Sequence, residues 1–243
     1  MVDTAKIARR IESDLKKAGS AERAAAEKRY LKSDLAFHGS SLSDIRRAAK
    51  TTVKREGLGR DDVLALAQEL WNKPVFERRM ASVVLLELSA PDLDGSDLPI
   101  IEKMIRGSHT WALVDGLAGD VLGEIALRHR IKQRLDRWAH DDDFWIRRSS
   151  LLAELEPLKQ DAPFRPFAER ADGMLDETEF FIRKAIGWVL REMSKKRPRE
   201  VYEWMAPRTH RASGVTMREV VKYLDSNRAA RLMRAYKARR PAV

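Results

Sequence analysis

The chain contains no cysteine in 243 residues, which excludes disulfides, thiolate catalysis and thiolate-ligated metal and suits a reducing compartment. Long apolar runs are missing as well. The opening Met1-Val-Asp-Thr-Ala-Lys6 has no apolar core able to act as a signal peptide, and nowhere do roughly 18 apolar residues follow one another, so no membrane-spanning helix is expected. These absences predict a cytoplasmic protein with no membrane partner. The five histidines, His38, His109, His129, His140 and His210, show no metal-ligand spacing. The phosphate-cradling loop of nucleotide enzymes and the serine elbow of hydrolases are absent, and Gly57-Leu-Gly59 stops short of a dinucleotide fingerprint. These other chemistries are poorly supported, and Asp141-Asp142-Asp143 reads as the negatively charged start of a helix rather than a metal cluster.

Negative charge is also in deficit. Forty-seven Lys and Arg face 37 Asp and Glu, a formal balance of +10, which favours an acidic partner, most often nucleic acid or an anionic surface. What the chain does contain is helical periodicity nearly throughout, with apolar residues three and four apart and no clear strand. The spacing predicts helices over 43–55, 61–71, 74–88, 98–106, 111–127, 144–155, 178–193 and 216–224, within about fourteen short helices in all. Pro74 suits a first helical turn, Asp61 and Asp143 suit helix starts, and Pro91, Pro157 and Pro198 suit positions after helix ends. Nothing marks an internal linker, so a single domain spanning 1–243 is expected.

Basic pairs recur as Arg78-Arg79, Arg147-Arg148 and Arg183-Lys184, each opening an apolar helix. Aligned on the second position, the slots Arg79, Asp115, Arg148, Lys184 and Arg218 lie 36, 33, 36 and 34 residues apart. Stacked helix pairs of this period predict an all-α fold, a HEAT-like α-solenoid, curved so that the slots line a concave basic face. One slot breaks the charge pattern. Asp115 places an acid where the other repeats place cations, one helical turn after Trp111 and on the same helix face.

Each of these residues has an ordinary structural reading beside a functional one. Trp111 and Asp115 fit a core residue and a helix-capping acid, but among cations Asp115 is expected to stay ionised and to stabilise positive charge or orient water. Arg148 fits either a structural ion pair or a phosphate contact, as do Arg79, Arg147, Lys184 and Arg218. Trp188, four residues after Lys184, fits the core or a second aromatic wall, and Tyr30 fits a helix tyrosine or a third wall. Gly116, Gly119 and Gly123 follow Asp115 within one expected helix, where close packing explains them most simply. The stripe of Arg228, Arg231, Arg234, Lys237, Arg239 and Arg240 fits a solvated helix face or a track for phosphates.

Taken together, Thr110-Trp111-Ala-Leu-Val-Asp115, Phe144-Trp145-Ile-Arg147-Arg148 and Phe180-Phe-Ile-Arg-Lys-Ala-Ile-Gly-Trp188-Val-Leu-Arg-Glu192 resemble the bacterial AlkD family of alkylpurine DNA glycosylases. The resemblance runs from Arg29-Tyr30 to Arg218. It implies a HEAT-like solenoid that removes N3- and N7-alkylated purines from duplex DNA in base excision repair, as a monomer and without a cofactor. By position it makes Asp115 the catalytic aspartate, Trp111, Trp188 and Tyr30 the active-site aromatics, and Arg148 a DNA-contacting arginine. Thr110 and Ala112 depart from the family pattern, which has a tryptophan and an acid there. The alternative is a non-catalytic HEAT-repeat protein that binds damaged or branched DNA through the same basic face.

Overall fold

A computed structural model describes residues 2–238. Arg239 and Arg240 of the carboxy-terminal basic stripe lie outside the described residues. Helices dominate the described chain, and the β pairing among the described residues is an isolated parallel bridge between Ala36 and Val75. The chain divides into two compact units, residues 1–129 and 130–243.

The first unit comprises α1 (Thr4–Ala18), α2 (Ala21–Leu31), α3 (Leu42–Glu56), α4 (Arg60–Trp71), α5 (Phe76–Ser89), α6 (Leu98–Arg106), α7 (Trp111–Asp115) and α8 (Gly123–Arg128), with a π turn over Gly116–Leu122 joining the last two. Local chemistry sets the boundaries. Asp3 caps α1 by accepting from Lys6 N at 2.9 Å, Ser41 and Asp44 form a capping box at α3, and Asp61 and Asp62 place negative charge in the first turn of α4. Pro74 stays outside the helix that it was expected to open. Its carbonyl accepts from Ala36 N at 2.9 Å, and Ala36 O in turn accepts from Phe76 N, so the bridge holds residues 74–75 extended and α5 begins at Phe76.

α5 is the central helix of this unit, packed on α3, α4 and the π turn, and Val83, Val84, Leu85 and Leu86 are completely buried on it. Its first basic residue is buried too. Arg78, 1% exposed, donates to Glu12 Oε2 at 2.8 Å and to the carbonyls of Leu70 and Glu69. Burial alone would raise the Glu12 carboxyl, but hydrogen bonds from Lys73, Lys16 and Arg78 hold it down to about 2.

The second unit comprises α9 (Lys132–Trp138), α10 (Phe144–Leu152), α11 (Leu155–Lys159), α12 (Arg165–Gly173), α13 (Phe180–Ser194), α14 (Pro198–Met205), α15 (Gly214–Val220) and α16 (Ser226–Ala238). Asp143 caps α10 by accepting from Trp145 N at 2.8 Å. The helix expected over 144–155 ends at Leu152, and Pro157 lies inside the short α11 that follows. α13 packs most extensively on α15, and Gly187 permits it: a Cβ there would lie 2.8 Å from Glu219 Cβ and 3.2 Å from Thr216 Cα. Beside that contact Lys184, Arg191 and Lys222 converge on Glu219. Burial pushes Glu219 up, and these three cations outweigh it and hold the carboxyl at about 2.

Candidate functional site

Tyr30 reaches the site through a chain of short-range constraints in the first unit. The carboxylate of Glu77, completely buried on α5, accepts from His38 N at 2.9 Å and Gly39 N at 2.5 Å. Gly39 has φ 79°, and a Cβ on it would lie 2.1 Å from Ser20 O, so only glycine lets this loop meet the cap of α2. The next bond is Ser20 N to Gly39 O at 3.3 Å. α2 is thereby pinned at its start to α5, and its last turn presents Tyr30 to solvent, 72% exposed.

Trp111 opens α7, and its ring meets Tyr30 edge-on with centroids 5.8 Å apart and planes at 83°, a favoured aromatic geometry. A cavity of about 340 Å3 lies beneath this pair, lined by Leu42, Ile45, Phe76, Met80 and Ala112 among others. Ser40 Oγ and Glu27 Oε2, both on its lining, make no hydrogen bond within the protein.

Asp115 is the last residue of α7 and is half-buried. The helix expected over 111–127 does not continue regularly past it, because Gly116 to Leu122 widen into the π turn. Such π-helical turns are found frequently at functional sites. Glycine is required at the first of these positions. A Cβ at Gly116 would lie 2.7 Å from Val83 Cγ1 and 3.3 Å from Glu87 Oε1, so the backbone after Asp115 lies directly on α5. Sequence periodicity missed the π turn, although the three glycines within one expected helix were its signal.

The other predicted residues have the following surroundings. Arg79 donates from Nη1 to Gly107 O at 2.7 Å, with its guanidinium 5.1 Å from the Trp71 ring. In the second unit, Arg148 is 2% exposed. It donates to Phe181 O at 2.5 Å and stands 5.8 Å from the Phe181 ring. Arg147 grips both carboxylate oxygens of Glu177 at 2.7 and 3.0 Å and also reaches Asp141 O. Lys184 donates to Glu219 at 2.5 Å, Arg218 is exposed, and Trp188 is half-buried on α13. The repeated basic slot is therefore occupied largely with the protein's own carbonyls and carboxylates. Periodicity located the slot but could not identify these partners.

No group of three or more His, Asp or Glu able to hold a metal ion occurs among the described residues, and no helix among them is long and apolar enough to cross a membrane. Asp141 and Asp143 serve the α10 cap, with Asp143 N donating to Asp141 Oδ1 at 2.9 Å.

Known proteins place the chain in a family. A family model described as DNA alkylation repair enzyme matches residues 11–224, and the chain belongs to that family. Among solved structures it is similar to a protein described as a predicted DNA alkylation repair enzyme from Enterococcus faecalis, with a TM-score of 0.75, 23% identity, and 86% of this chain and 97% of that one covered. It is also similar to AlkD2 from Streptococcus mutans, with a TM-score of 0.65, 16% identity, and 92% and 100% covered. These likenesses carry the fold, which is the all-α, HEAT-like helical repeat predicted from the period of the slots. No curated protein matches significantly in sequence.

Proposed function

We propose that the chain is a monofunctional DNA glycosylase that hydrolyses the N-glycosidic bond of N3- and N7-alkylated purines in duplex DNA, acting as a monomer in base excision repair. The observation that carries this reading is Asp115, an acid in a slot otherwise basic, one turn from the Trp111–Tyr30 pair and at the start of a π turn. Membership of the DNA alkylation repair family supports it.

The chemistry suits the residues. Alkylation at N3 or N7 makes the purine cationic, so it leaves as a neutral base when the bond to C1′ breaks, and no acid is required to protonate it. Positive charge then develops on the deoxyribose. Asp115 stabilises that oxocarbenium-like centre and orients the water whose oxygen attacks C1′, the water's proton passing to solvent. Trp111 and Tyr30 pack on the sugar and adjacent backbone, where aromatic faces also favour the cation. Arg218, exposed on α15, meets phosphate. Arg79, Arg147, Arg148 and Lys184 would have to give up the contacts described above to do so, and in this reading they hold the helix pairs in register.

The test is Asp115→Asn, which keeps the shape and removes the charge. Alkylated duplex DNA is incubated with each protein and abasic sites are counted. Loss of about 100-fold or more in the variant is expected, on the scale of removing one electrostatic stabiliser. Equal release by the two proteins refutes the assigned role. Salt-sensitive binding with no release by either favours the non-catalytic DNA-binding alternative.

A further inference from the structure

The π turn after Asp115 rests on a carboxylate that the proposed reaction leaves unused. Glu87 lies near the end of α5, one turn after Val83, and a side chain at Gly116 would meet these same two residues. Glu87 is 13% exposed, and its Oε2 lies 3.1 Å from Arg46 Nη2 on α3. The charged groups facing it come from two elements, Arg46 on α3 and Asp120 on the π turn. On its own helix the residues one turn back, Val83 and Val84, are apolar and buried. Burial pushes the Glu87 carboxyl up to about 7, Arg46 opposing and the charge of Asp120 reinforcing the rise.

An acid so enclosed must do one of two things. Either it is an incidental buried charge, or its ionised form organises the backbone that it touches. Its position favours the second. Glu87 abuts Gly116 at the start of the π turn and feels Asp120 further along it, and Arg46 ties it to a separate helix. We propose that Glu87 is a positioning residue for Asp115, its ionised, Arg46-paired form holding the first residue of the π turn against α5. This rests on the glycosylase reading, and it adds a residue outside the aromatic and basic sets. The sign follows: above pH 7 Glu87 is charged and paired, whereas below it the carboxyl is neutral, the pairing weakens and Asp115 is less well aimed.

The experiment measures single-turnover release of N7-methylguanine from duplex DNA between pH 6 and 8, with spontaneous loss subtracted, for wild type and Glu87→Gln. Wild type should slow by about tenfold from pH 8 to 6, the scale of a small misplacement of a reacting group. Glu87→Gln should be slower than wild type at pH 8 and flat across the range. A profile unchanged by the substitution overturns the proposal. A second readout is independent of catalysis: the Gly116 amide resonance should titrate with a midpoint near 7 in wild type and not in Glu87→Gln. Failure to titrate in wild type, or an identical titration in the variant, also overturns it. If wild type releases no base, the glycosylase reading fails and the Gly116 titration alone decides the positioning role. Should Glu87→Gln not fold, Arg46→Gln tests the same pairing from an exposed position and should move both midpoints to higher pH.

Discussion

Replacing Gly116 by alanine puts a methyl group into the contact that shapes the Asp115 junction. The new Cβ would lie 2.7 Å from Val83 Cγ1, well inside the roughly 3.5–4.0 Å at which carbon atoms pack. Val83 is completely buried, so it cannot swing aside into solvent, and either α5 or the π turn must shift. Overpacking of this kind costs about 2 kcal/mol. Alanine recovers roughly 1 kcal/mol through its better helical propensity. The balance is a loss of about 1 kcal/mol, which lowers the urea midpoint by about 0.5 M at a slope of about 2 kcal/mol/M.

Val83→Ala supplies the control. Alone it should cost about 2 kcal/mol through the methyl groups it removes from the core. Combined with Gly116→Ala it relieves the clash, so the double variant should be more stable than the sum of the singles by about 1–2 kcal/mol. Base release should follow the same pattern, falling about tenfold in Gly116→Ala as Asp115 is displaced by a fraction of an ångström, and recovering in part in the double variant. Urea unfolding of all four proteins and one rate for each complete the cycle. Additive free energies, or a Gly116→Ala protein as stable and as active as wild type, would refute the claim that close approach to α5 sets this junction.

Further predictions concern the charged frame. Glu12 titrates at about 2 in the folded chain against an ordinary 4.5, so its ionised form contributes stability that is complete above about pH 4.5 and lost as pH falls through 2. Glu12→Gln strands the buried Arg78 and should cost about 3 kcal/mol at neutral pH, with a flatter acid limb in urea denaturation between those pH values. Arg218→Ala should leave stability within about 0.5 kcal/mol and reduce the salt slope of DNA binding by about one. Arg148→Ala should instead lower the urea midpoint, because it removes a buried guanidinium bonded to Phe181 O. An Arg148→Ala protein of unchanged stability would count against a framing role.

The sequence exposed the period of the repeat more readily than its purpose. Spacing located Arg79, Asp115, Arg148, Lys184 and Arg218 because equivalent positions recur whatever they touch. Their partners lie far along the chain, Gly107 O for Arg79, Phe181 O for Arg148 and Glu219 for Lys184, and no local pattern announces them. Glu12 with Arg78, 66 residues apart, and Glu87 against Gly116 are hidden for the same reason. The π turn was legible only as glycines without an obvious use, since one widened turn barely disturbs a 3.6-residue stripe. Yet the contacts that periodicity could not show explain why Asp115 is the informative slot. Arg79 and Arg148 each donate to a carbonyl 28 and 33 residues further on, joining one helix pair to the chain that follows. A carboxylate only accepts, so an acid in that slot cannot make the donating contact that an arginine makes there. An acid there can join such a link only as an acceptor, its helix ends after five residues, and the backbone beyond it lies against Val83 and Glu87.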